Sequence, residues 1–134
     1  MAKPSRQGRQ ITVGTYKAGT NLSLTAVGTL LKKGVLGVVP VSAATDDAIG
    51  SLHQRVLGSD AGVDVPVQLL NLSQEIECVA HESLAVGDKV GPSATGRVQK
   101  AVAAGSLYVG TVETAGSAGD NIVVDVVDSR TRHA

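Results

Sequence analysis

The segment Gly91-Pro92-Ser93-Ala94-Thr95-Gly96-Arg97-Val98 carries glycines at the two positions a phosphate-cradling loop requires, so phosphate binding is the first chemistry to weigh. Such a loop needs Lys and then Ser or Thr after the second glycine, and a helix whose N-terminal amides face the phosphate. Here Arg97 and Val98 stand in those places, and the flanking residues are strand-like. The segment therefore reads as a hairpin loop. His53, His81 and His133 share no metal-ligand spacing with one another or with Cys78. The His81-Glu82 pair hints at base chemistry, but at the end of a strand-like run it reads as a solvated turn. Cys78 falls on the apolar phase of its strand and reads as a small buried hydrophobe rather than a nucleophile. Glu75 with Glu77, and Asp125 with Asp128, resemble paired carboxylates, yet outward-facing strand charges that discourage edge-to-edge pairing account for them. Asp88 and Asp120 each follow a glycine at the entry to an apolar strand, as turn chemistry asks. No catalytic residue, metal ligand set or cofactor site emerges, and the chain reads as a non-enzyme.

The elements that would position any site are short and valine-rich. The chain has 134 residues with 1% aromatic content, and its two Tyr are unaccompanied by Phe or Trp. Val, Leu, Ile and Ala must then fill the interior, which favours a pleated surface, while a groove that stacks sugars or bases would want more rings. The 16 glycines suit many short strands joined by tight turns. Ile11, Val13, Leu22, Leu24 and Ala26 alternate with polar residues around a turn at residues 17–21, and Val63, Val65, Val67 and Leu69 alternate around Pro66. Pro66 argues for an edge strand or a bulge. Ile76, Cys78 and Ala80 continue the alternation.

Residues 42–58 break this period. Ile49, Leu52 and Val56 sit at i, i+3 and i+7 behind Thr45, Asp46 and Asp47, a short-helix spacing that Gly50 weakens. The segment reads as an inserted loop or short helix on the surface. A faint internal repeat sets Gly37-Val38-Val39 and Gly62 beside Gly110-Thr111-Val112 and Gly119. After Gly62 come Val65, Val67 and Leu69; after Gly119, at the same offsets, come Ile122, Val124 and Val126.

Charge is balanced overall but divided along the chain. Lys3, Arg6, Arg9, Lys17, Lys32 and Lys33 precede Asp46, the first acid, and all 12 acids lie from there onward. Residues 1–10 read as an extended basic arm, in which Lys3, Arg6 and Arg9 recur every third residue along one side of a polyproline-like stretch. With adjoining Lys17 they are the candidate binding residues, suited to an acidic protein surface such as the body of a neighbouring copy. No aromatic interleaves these cations, which argues against nucleic acid. A single cysteine excludes an intramolecular disulfide, and the basic N-terminus lacks the apolar run of a secretory signal. A soluble domain over residues 11–128 with a tail at 129–134, made in the cytoplasm and contacting no membrane, is expected.

Three stretches carry a resemblance: Gly34-Val35-Leu36-Gly37-Val38-Val39, Leu84-Ala85-Val86-Gly87-Asp88-Lys89-Val90 with Gly96-Arg97-Val98 after it, and Tyr108-Val109-Gly110-Thr111-Val112 followed by residues 118–127. In order and spacing they resemble the small capsid decoration, or cement, proteins of tailed bacteriophages. The resemblance spans residues 24–41, 62–69 and 84–127; the 42–58 excursion, the longer 71–83 region and the basic arm depart from it. It implies an all-β fold, a compact small β-barrel or β-sandwich. It also implies a structural virion protein on the outer capsid surface, bound to the major capsid protein as a homotrimer at threefold or quasi-threefold positions. A carbohydrate- or peptide-binding β-module and a tail or baseplate protein are the alternatives, the first disfavoured by the scarcity of rings.

Overall fold

A computed structural model describes residues 10–100, 104 and 108–126. The arm residues Lys3, Arg6 and Arg9, together with Asp128, His133 and the C-terminal tail, lie outside the described residues. What is described is all-β. Ten strands form two antiparallel five-stranded sheets: β1 (Val13–Lys17), β2 (Leu30–Lys33), β3 (Val38–Pro40), β4 (Gly50–Leu52) and β5 (Asp64–Leu69) in the first, β6 (Glu75–Val79), β7 (Lys89–Pro92), β8 (Val98–Gln99), β9 (Gly110–Val112) and β10 (Asn121–Asp125) in the second. The strand orders are β1-β5-β4-β2-β3 and β6-β10-β9-β7-β8.

These two orders are the same order. Each strand of the first sheet has its counterpart five strands later, so residues 13–69 (the N-half) and 75–126 (the C-half) are two copies of one topology. The correspondence reaches individual hydrogen bonds. Gly62 N–H donates to Ala18 O at 2.7 Å, and Gly119 N–H to Ala80 O at 2.8 Å. Gly28 donates to Leu52 O, and Gly87 to Val112 O, both at 2.9 Å. Parallel bridges Ala18–Val38 and Ala80–Val98 bring the third strand of each half against the chain leaving the first, without a ladder that would close either sheet into a barrel.

The alternation read around Gly62 and Gly119 is thus the true repeat: Val65, Val67 and Leu69 match Ile122, Val124 and Val126, and all six are buried. The other half of the alignment is corrected. Gly110-Thr111-Val112 matches Gly50-Ser51-Leu52, which is β4, while Gly37-Val38-Val39 matches Arg97-Val98-Gln99. Residues 42–58 are therefore neither a surface insertion nor a helix, for β4 lies between β5 and β2 with all three residues buried. The helical spacing arose because Leu52 and Val56 reach the N-half core from a short strand and the loop after it. Gly50 is needed in β4 for a steric reason: a Cβ there would overlap the Gln68 carbonyl oxygen on β5, as one on Gly110 would overlap that of Asp125. Pro66 also needs correction, since β5 is an internal strand. Its missing N–H is harmless because its neighbour on that side, His53, lies just past the end of β4 and donates to Pro66 O at 2.9 Å.

Each half wraps its own apolar core. The N-half core holds Leu22, Leu31, Leu52, Val65 and Val67; the C-half core holds Ile76, Cys78, Val90, Ile122 and Val124. Leu30 and Val41 belong to N-half strands and loops but pack into the C-half core, joining the two. Cys78 is fully buried and its thiol pKa is pushed well above the ordinary range, chiefly by desolvation, so it behaves as the small hydrophobe expected.

The turn before β4 is fastened by Asp46. Its Oδ2 accepts from the Ser42 and Ala43 N–H groups at 3.0 Å each and from the Lys32 ammonium at 2.7 Å. The Lys32 hydrogen bond, then that of Ser42, outweighs the burial opposing ionisation and holds the carboxyl below the ordinary carboxylate range. A depressed folded-state pKa gives stability that is complete once the unfolded carboxyl is ionised and is lost as acid titrates the folded one. Chemical denaturation should therefore show Asp46→Ala destabilised by about 1–2 kcal/mol at neutral pH. The gap from the parent should narrow below about pH 4.

Candidate docking surface

The surface worth attention is apolar and loop-borne. Of the predicted binding residues only Lys17 is described; it ends β1, on the exposed side of the strand, and pairs with Asp64 at 2.6 Å. Both partners are largely exposed, so the pair contributes little to stability and remains available to a binding partner. Beside it stands the β2–β3 hairpin tip. Gly37 packs so closely on Lys17 and Ala18 that a Cβ there would overlap the Lys17 carbonyl oxygen. That contact holds exposed Val35 and Leu36 next to the Lys17 end of β1. These neighbours carry no charge, and the unbroken Gly-Val-Leu-Gly run marks them in the sequence only as an apolar turn.

A second patch distinguishes the halves. The chain between Leu22 and Ala26 carries three residues, Ser23, Leu24 and Thr25, absent between the matching Leu84 and Ala85. The β4–β5 loop likewise exceeds the β9–β10 loop by three residues. Each longer loop turns a leucine to solvent, Leu24 at 91% and Leu57 at 90% relative exposure. The two loops leave the same end of the N-half sheet and meet at a shallow groove of about 260 Å³, where Arg55 joins residues 23–27. Asn21 fixes the first loop by accepting from the Ser23 N–H at 2.9 Å. The added length of neither loop is needed to complete the shared topology, since the C-half does without it.

The remaining sequence candidates fall where packing or turns explain them. Residues 93–97 are the β7–β8 hairpin turn, with Ser93 N–H donating to Arg97 O at 2.8 Å and Gly96 at φ +78°. Glu75 is corrected from an outward charge to a fully buried one, because β6, the edge of its own sheet, is covered by β4 and β5 of the N-half. Its carboxylate has no hydrogen-bond partner among the described residues. Glu77, less buried, accepts from the Asn121 amide at 2.8 Å. His53 Nδ1 lies 2.9 Å from the Gln68 amide nitrogen, and His81 Nδ1 lies at 3.5 Å from the Thr95 hydroxyl. Among the described residues no three His, Cys, Asp or Glu side chains gather as a metal site, and no helix is long and apolar enough to cross a membrane. No protein-family model, curated protein or solved structure matches this chain.

Proposed function

We propose that this protein is a capsid decoration protein, a non-enzymatic cement that binds the outer surface of an expanded phage head and bridges major capsid protein subunits. The observation that carries this reading is the pair of loops lengthened in one half only, each presenting a solvent-facing leucine, with Leu24 lining the Arg55 groove. Exposed apolar side chains on a rigid body, rimmed by polar groups, suit protein–protein contact. The order of the Gly-turn segments in the sequence supports the same reading. The basic arm, leading directly into β1, adds an electrostatic contact to an acidic capsid surface.

Cement action follows from mass action. A protein that binds only the expanded shell stabilises that state against the pressure of packaged DNA, and many modest contacts on one lattice add through avidity. Copies joined as a homotrimer at threefold or quasi-threefold positions would each bring one arm and one leucine pair to the lattice.

Cosedimentation with expanded, DNA-free heads tests the reading. The parent protein is expected to pellet with expanded heads and not with unexpanded shells. Leu24→Asp with Leu57→Asp is expected to weaken binding by at least tenfold while leaving the folded β spectrum intact. Removal of residues 1–10 is expected to weaken binding most at low salt, where screening is least. Equal pelleting of the doubly substituted protein would show that the leucines are not the contact.

A further inference from the structure

The duplicated fold contains an interface whose two sides both recur, more exposed, elsewhere among the described residues. Inside the chain, the C-half packs its β6 edge and its hairpin turn onto one face of the N-half. Glu77 N–H, on the β6 edge away from β10, donates to Gln68 Oε1 at 2.7 Å. Asn121 Nδ2 donates to Val27 O at 2.9 Å, beneath a Val27–Gly28 turn whose Gly28 lies against Cys78 and Val79. Leu30 N–H donates to Gly96 O at 2.7 Å, seating the β7–β8 tip.

Each of these parts has a more exposed counterpart among the described residues. The match for β6 is β1, where Val13, Thr15 and Lys17 are exposed while Glu75 and Val79 are buried. Ladder alternation, fixed by Ala18 N–H to Val63 O and Leu69 N–H to Thr12 O, points the Thr15 N–H away from β5, as Glu77 N–H points away from β10. The β7–β8 turn is buried at Ser93 and Gly96 and exposed at Ala94 and Thr95, whereas its match is exposed throughout Gly34, Val35 and Leu36. On the other side, the match for the covered Val27–Gly28 turn is Val86–Gly87, with Val86 exposed and open space where a Gly87 Cβ would stand. The match for fully buried Gln68 is half-buried Asp125.

We propose that copies of this chain associate head to tail by repeating the internal junction between molecules: the β1 edge and Val35–Leu36 tip of one copy against the Val86–Gly87 turn and Asp125 of the next. Thr15 N–H then donates to the neighbour's Asp125 as Glu77 does to Gln68. Lys17 takes the place of the Asn121 amide as donor toward the Val86 carbonyl. Charge favours the pairing, since the β1 side offers Lys33 beside the Lys17–Asp64 pair and the C-half carries seven acids against three bases. A contact of this kind joins unlike faces, so it closes into a ring or continues as a filament, and three copies in a ring would present six alternating halves. The self-contact stands whether or not the assembly meets a capsid.

Two single-cysteine additions to the full chain, Thr15→Cys and Asp125→Cys, test it, with native Cys78 buried out of reach. Under mild oxidation a disulfide dimer is expected only when the two variants are mixed. Adding Leu36→Asp to the Thr15→Cys chain should lower its yield at least tenfold, with the β circular-dichroism spectrum unchanged. Native mass spectrometry of the parent should give multiples of 13.5 kDa. A parent that stays a single copy, a mixture that forms no dimer, or a disulfide within either variant alone, which signals like faces meeting, would overturn the proposal.

Discussion

Gly50→Ala is expected to abolish the native fold or destabilise it by roughly 3 kcal/mol or more, because the added methyl meets backbone, which cannot rotate away. The overlap is with the Gln68 carbonyl oxygen, with Val67 Cγ1 at 2.8 Å beside it. Gly110 stands in the same relation to Asp125 and Val124, so Gly110→Ala should behave alike. The two substitutions together test the duplication itself. Thermal unfolding by circular dichroism measures both. A glycine at a loop tip provides the control: Gly62 has open space around its Cβ position and a φ of +91°, so Gly62→Ala should cost only the strain of a left-handed residue, about 1 kcal/mol. Near-equal effects at Gly50 and Gly62 would mean that β4 does not pair beside β5 as described.

Leu30→Ala is expected to cost 2–5 kcal/mol, the usual range for truncating a buried leucine. Leu30 begins β2 of the N-half yet packs with Ile76, Val90 and Ile122 in the C-half core. Its loss should therefore loosen the junction as well as the core. The parent is expected to unfold in one cooperative transition, and Leu30→Ala to lower that transition while splitting or broadening it. Leu52→Ala, confined to the N-half core, should lower the midpoint comparably with less loss of cooperativity. Denaturant titration followed by circular dichroism, with slope and midpoint compared, separates these outcomes.

Much of the fold was legible because β-periodicity survives in the longer strands. Val65, Val67 and Leu69 advertised β5 despite Pro66, and Ile122 and Val124 advertised β10. The three-residue β4 is too short to show a period, and its one large apolar residue, Leu52, fell by chance on a helical spacing with Ile49 and Val56. The repeat was visible at Gly62 and Gly119, since both glycines occupy left-handed turns at φ near +90°. It was misaligned upstream because Gly-Val-Val and Gly-Thr-Val look alike, although one is a hairpin exit and the other an internal strand. At the surface, charge drew attention to Lys17, but the apolar tips around it depend on which turns the second half covers. That is a property of packing between halves, and no single segment of sequence expresses it. Glu75 shows the same limit: it is buried although its strand is the edge of its own sheet, because β4 and β5 of the other half pack against β6.

Imaging expanded, DNA-free heads by electron microscopy after saturation with the purified protein tests the decoration account most directly. The account predicts added mass on the outer lattice faces, centred on threefold or quasi-threefold positions and absent from heads without the protein. Bare lattices at saturation, or protein found only at the tail or portal vertex, would contradict it.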